Sequence, residues 1–215
     1  MRSSKLFLTI AVFNVAAAYA AHVDMNDPRR ALGREDDIRV DAQLIHETVS
    51  SGSPLGVTYQ IENLSSDPIA VADKVCDVSY DAESRTITVS LGSEVPKAGT
   101  MPHLVTIRAG QKKTFTIGAI LHVAMPAVRS PFAALPRFVQ IKVNFLRDLG
   151  PFRTLIDQQA KSAASIELTD AQFDHWLESN DTIFLNAIPV QYNSATKSGM
   201  ADASQQHIGG SGPRF

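Results

Sequence analysis

The chain has 215 residues, of which 44% are hydrophobic and 20% charged, with a formal net charge of −2. That balance belongs to a folded globular protein and excludes wholesale disorder. A mildly acidic surface gives no electrostatic basis for binding nucleic acid or an anionic membrane.

Residues 1–20 read as a secretory signal peptide: Arg2 and Lys5 precede an apolar run from Leu6 to Ala18, and Ala18-Tyr19-Ala20 supplies a small-x-small cleavage site. The run of about 13 residues is short of the roughly 20 that a membrane-spanning helix needs, so no transmembrane segment is expected. Without Arg2 and Lys5 the remainder carries 18 basic against 22 acidic residues, a formal charge of −4. The expected location is periplasmic or secreted. Cys76 is the single cysteine, so stability must come from the core rather than from an internal disulfide. Beside Val75 it reads as a small apolar residue; an intermolecular disulfide or a reactive thiol is the alternative.

Residues 21–36 are polar and read as a flexible leader. Strand signals then follow in close order. Ile38, Val40, Ala42 and Leu44 alternate with polar residues, and a Ser-Gly-Ser-Pro break leads to Leu55–Glu62, with Val57, Tyr59 and Ile61 on one face. Asn63 to Pro68 supplies turn chemistry. Short apolar runs at 69–72 and 75–80 precede a turn at 81–84 and the alternating 85–91. Loops at 92–102 and 125–136 flank strands at 104–108 and 114–123, which the short 109–113 connection predicts to be antiparallel neighbours. Arg137–Leu146 alternates most cleanly, with Val139, Ile141, Val143 and Phe145 on one face.

The period changes after Leu149. Gly150-Pro151 can open a helix, and Phe152, Leu155, Ile156, Gln159 and Ala163 fall at helical spacing. Thr169 and Gln172 form a capping box for a second helix with the apolar stripe Phe173, Trp176 and Leu177. Residues 182–192 read as a final strand, held to an edge by Pro189, and 193–215 as a disordered tail. The fold class is mainly β: an immunoglobulin-like antiparallel β-sandwich over 37–149, with a C-terminal two-helix appendix and a final edge strand over 150–192. A small barrel shares this periodicity.

The runs VTYQIENLSSDPIAV (57–71) and VTIRAGQKKTFTI (105–117) resemble strands of bacterial immunoglobulin-like sandwich modules. Their cadence is similar to that of small proteinase-inhibitor domains of the BsuPI type. The resemblance covers about 38–146 and implies a fold; protease inhibition is one activity it suggests by analogy.

Met101, His103, His122 and Met125 combine imidazole and thioether groups that suit copper in an oxidising compartment. Pairing 104–108 with 114–121 would put Met101 and His103 on the core face and His122 on the other, which argues against a shared site. Ser194-Ala-Thr-Lys197 has the S-x-x-K spacing but no partner motif. The aspartates at 24, 27, 36, 37 and 41 lack calcium-loop spacing. Asn63-Leu-Ser65 and Asn180-Asp-Thr182 are glycosylation triplets. Arg147-Asp148 is placed to form a pair or to cap the following helix. No catalytic fingerprint is present, so no cofactor is expected. The reading is a non-enzymatic binding protein whose partner is a protein or a glycan, recognised through the long loops. A hydrolase with a site assembled from loops, or a copper-binding protein, is the alternative.

Overall fold

The computed structural model describes residues 27–50, 52–120 and 134–193. Arg30–Glu35 (β1) and Ile38–Leu44 (β2) form a hairpin that turns at Asp36, where φ is 48°; a short polar side chain tolerates that left-handed backbone. Thr48–Ser50 (β3), Pro54–Asn63 (β4), Ile69–Ala72 (β5), Cys76–Asp81 (β6), Thr86–Leu91 (β7), Leu104–Ile107 (β8), Lys112–Ile120 (β9) and Phe138–Leu146 (β10) follow. Two helices come next, Arg153–Lys161 (α1) and Asp170–Ser179 (α2), and then Asn180–Phe184 (β11), Ile188–Pro189 (β12) and Gln191–Asn193 (β13).

The strands form two main sheets. The first runs β1-β2-β4-β9; the second runs β6-β7-β10-β5-β8, with β11 and β12 along β10, and β3 pairs separately with β13. Both main sheets send their alternate side chains into one core. Ile38, Val40 and Leu44 of β2 and Val57, Tyr59 and Ile61 of β4 meet Ile87, Val89 and Leu91 of β7 and Val139, Ile141 and Val143 of β10. Each buried side chain of this size is worth about 1.5–3 kcal/mol relative to exposure. A one-residue slip would turn a whole strand's set outward, so the alternation fixes the register.

Two buried asparagines organise the turns. Asn63 donates to the Asp67 and Ile107 carbonyls at 2.8 and 3.0 Å and accepts from Ser65 through backbone and hydroxyl. Asn144 donates to Ser90 Oγ and the Leu91 carbonyl and accepts from Thr182 Oγ1 at 2.7 Å. Both amides are satisfied, which is what burial demands of them.

A second core lies under the helices, where Phe152 and Trp176 pack with Ala70, Ala72, Met101, Leu104, Leu146 and Leu149. The two rings meet nearly edge to face, centroids 5.5 Å apart. Gln159 on α1 reaches down to accept from Leu104 N and donate to the Pro102 carbonyl. The capping box of α2 forms as the sequence predicts, Thr169 and Gln172 each bonding the other's backbone.

The molecule is mainly β with mostly antiparallel pairing, and five expectations change. Residues 30–35, read as part of a flexible leader, are a strand zipped to β2 along its whole length. The 104–108 and 114–121 segments are not hairpin partners: β8 pairs with β5 and β9 with β4, so the 109–113 connection crosses between sheets. The pairing is not wholly antiparallel, because β10 runs parallel to β7 and β13 parallel to β3. The expected final strand breaks into three pieces, and β11 pairs with β10 from Lys142 to Leu146, making the appendix part of the sheet. Leu177 is exposed, leaving Trp176 as the buried residue of α2.

Candidate functional site

The outward face of the second sheet is a grid that the strand registers define. Asp77 on β6 stands beside Ser90 on β7, Ser90 beside Lys142 on β10, and Lys142 beside Phe184 on β11. The next row is Ser79, Thr88 and Gln140. The third is Asp81, Thr86, Phe138 and Pro189. Their inward-facing neighbours are core residues, so the pleat alone sends these side chains to solvent.

The segment following β7 folds over one end of this grid. Gly92 adopts φ 78° and runs so close to β10 that a Cβ there would sit 2.3 Å from the Asn144 carbonyl oxygen; only glycine fits. Ser93 then presents its carbonyl to Trp176 Nε1 at 3.3 Å and to Asn180 Nδ2 at 2.9 Å. The helical appendix therefore fixes the loop from behind. Glu94 and Val95 project from it over the sheet. Between them, Lys142 and Phe184 lies a shallow depression of about 430 Å³ that reaches Asp77, Ser79, Thr88 and Ser90.

Phe184 is 60% exposed and Val95 51%, more than any other large hydrophobic side chain among the described residues. Phe138, four residues along β10 from Lys142, is 40% exposed. The charges around them are matched locally: Lys142 Nζ lies 2.6 Å from Glu94 and Lys97 Nζ 2.8 Å from Asp77. The depression is a polar grid bounded by apolar side chains on a rigid base.

Two further depressions are less well built. One of about 350 Å³ lies between the 65–69 turn and the end of β10, lined in part by Arg147, Asp148 and Arg153. Its Arg147 is already bound to Asp181 and Asp36 and stacked over Phe145. The other, about 610 Å³, opens widely beside His46 and Glu47.

The copper candidates do not gather among the described residues. Met101 is buried in the second core, while His103 is exposed and holds Asp73 at 2.7 Å; His122 and Met125 lie outside the described residues. No group of three His, Cys, Asp or Glu side chains converges among the described residues. Ser194 and Lys197 also lie outside them. Arg147 and Asp148 do not pair with each other. Asp148 Oδ1 accepts from Gly150 N, starting the turn before α1, and its Oδ2 lies 3.1 Å from His175 Nε2 without hydrogen-bond alignment.

Asn63 is fully buried and Asn180 Nδ2 is engaged by Ser93, so both glycosylation triplets serve the fold. Cys76 is half-buried on β6, and burial together with Asp77 pushes its thiol up to about 11, far from a reactive thiolate. The Tyr59 hydroxyl is buried without a hydrogen-bond partner among the described residues, and burial raises its pKa.

The wet face of β10, with Gln140 and Lys142, is legible as alternation; Asn144, which the same alternation would turn outward, is buried by its bonds to Ser90, Leu91 and Thr182. Phe184 and Val95 are not. Phe184 sits in the continuous run Ile183-Phe184-Leu185, where periodicity cannot say which residue faces out, and Val95 belongs to a loop. No protein-family model, no curated protein and no solved structure matches this chain. Among the described residues no helix is long and apolar enough to cross a membrane.

Proposed function

We propose that this chain is a secreted or periplasmic non-enzymatic binding protein on an immunoglobulin-like sandwich. Its recognition surface is the outer face of the second sheet. The observation that carries the reading is the joint exposure of Phe184 and Val95 around a depression whose backbone is fixed from below by Asn144, Trp176 and Asn180. Large apolar side chains held in the open on a rigid base cost solvation without helping the fold, and such groups recur as binding anchors. Location outside the cytoplasm is supported by the signal-like residues 1–20, and the sandwich by two sheets that share one core. The loop 92–102 contributes through Glu94 and Val95.

The test is crosslinking in the native compartment with a photoreactive residue at position 95, followed by mass spectrometry. A defined adduct that disappears when Phe184 is changed to Asp is the expected result. Protein recovered without any partner from that position would overturn the reading.

A further inference from the structure

The chemistry of this face narrows what it binds. Its lysines are both spent on neighbouring carboxylates, Lys142 on Glu94 and Lys97 on Asp77. A strongly charged partner, whether an acidic or basic peptide or a nucleic acid, is recognised by unpaired charge of the opposite sign. The grid's one carboxylate outside these pairs, Asp81, is turned to its own loop, accepting from Glu83 N and from Ser84 through backbone and hydroxyl. Protein partners also favour a contiguous apolar centre ringed by polar groups. Here the apolar groups are dispersed: Phe184 and Phe138 stand apart, with Lys142 and Gln140 between them along β10 and the hydroxyls of Ser90, Thr88 and Ser79 on the neighbouring strands.

The spacing points the same way. Positions 138 and 142 on β10 are about 14 Å apart at roughly 3.4 Å per residue, and neighbouring strands add rows about 4.8 Å apart. The face therefore offers two aromatic platforms with an amide between them and rows of hydroxyl groups alongside. The complementary ligand is uncharged and extended, with apolar patches for the rings and many hydroxyls for the grid. We propose that the outer face of the second sheet binds a neutral polysaccharide, with sugar rings seated against Phe184 and Phe138 and hydroxyls bonded to Gln140 and to the Ser90, Thr88 and Ser79 side chains alongside. The C–H faces of sugar rings suit aromatic side chains, and polar groups placed between such platforms fix orientation. Neutral ligand against locally neutralised surface is the electrostatic match. This inference rests on the preceding reading of the same face as a recognition surface.

The experiment is native affinity electrophoresis of the full chain in gels containing dextran, soluble starch, hydroxyethyl cellulose, laminarin or galactomannan, with polygalacturonate as the charged comparison. Retardation by at least one neutral polymer is expected, weakened about tenfold by Phe184→Ala, the usual loss for one aromatic anchor. Thr88→Ala should weaken it less. Thr116→Ala, on the other sheet, should leave it unchanged, and Phe184→Trp should restore it. Circular dichroism and thermal melts of each variant separate binding from folding.

No retardation by any neutral polymer, or retardation equal in wild type and Phe184→Ala, overturns the glycan assignment. If crosslinking from position 95 then still captures a defined protein in a Phe184-dependent way, the face remains a recognition surface for a different class of partner. If that also fails, both readings fall together.

Discussion

The outer faces of the two sheets are made by the same alternation and reach opposite ends. On the first, polar side chains find partners across the strands: Thr58 with Thr116 at 3.2 Å, Gln60 with Thr114 at 3.1 Å, Glu62 with Lys112 at 3.1 Å, and Arg30 with Asp41. Its exposed apolar residues, Leu32 and Ile120, sit on opposite edge strands. On the second, the charges are neutralised at the rim by a loop the appendix holds, while Phe184, Val95 and Phe138 stay exposed. Cross-strand pairs of the first kind stabilise a sheet modestly. The second arrangement leaves its apolar groups available to a ligand. Alternation makes a face wet; what stands on the wet side decides whether it is inert.

The supports behind the second face provide the largest way to break this contrast. Trp176→Ala should lose about 4 kcal/mol of stability in urea unfolding, the usual cost of emptying a packed tryptophan site. It should also abolish binding, because the Ser93 carbonyl loses its indole donor. Gly92→Ala should cost about 3 kcal/mol, from a left-handed backbone and the clash with the Asn144 carbonyl. A fully stable Gly92→Ala protein would show that the loop does not need this close approach.

On the first face, Arg30→Ala should cost about 2 kcal/mol, since the Arg30 side chain is only 6% exposed and its loss leaves Asp41 uncompensated. Binding should not change. Phe184→Ala inverts that result: stability within about 0.5 kcal/mol of wild type, as for an exposed residue, with binding weakened about tenfold. If both variants moved stability and neither moved binding, the two faces would be functionally alike.

Cys76, on the inward side of β6, offers the smallest effect. Its folded thiol is raised toward 11 by burial and by Asp77, so the unfolded chain ionises first. The stability this gives is complete below the ordinary thiol range and is lost as pH climbs from about 9 to about 11. Cys76→Ala should flatten that part of the melting-temperature profile, and iodoacetamide should label the folded thiol slowly at pH 8.

Much of the β architecture was legible because strands report on themselves. β4 and β7 alternate so regularly that their buried faces match the sequence residue by residue, β10 does so as far as Val143, beyond which Asn144 and Leu146 are buried as well, and the capping box placed the start of α2. β1 was missed because RALGRE carries two apolar side chains and a glycine, and its strand character comes from pairing with β2. The 109–113 connection looked like a hairpin because a short polar link suits either a turn within one sheet or a step between two. The choice depends on where β4 and β5 already lie. The candidate site was half legible: its polar rows follow from the pleat, but its apolar members needed the register of β11 and the path of the loop after β7.

The sequence by itself determined a β-rich chain with a change of period after Leu149, one unpaired cysteine, a signal-like start and the inward face of each regular strand. These are local properties, set by alternation, turn chemistry and capping within a few residues. Only the tertiary structure decided which strands neighbour one another, that β10 lies parallel to β7, and that Trp176 reaches back to Ser93 to hold a loop over the open sheet. Those contacts join residues far apart in the chain, and their energy depends on distance in space, which no window of sequence contains.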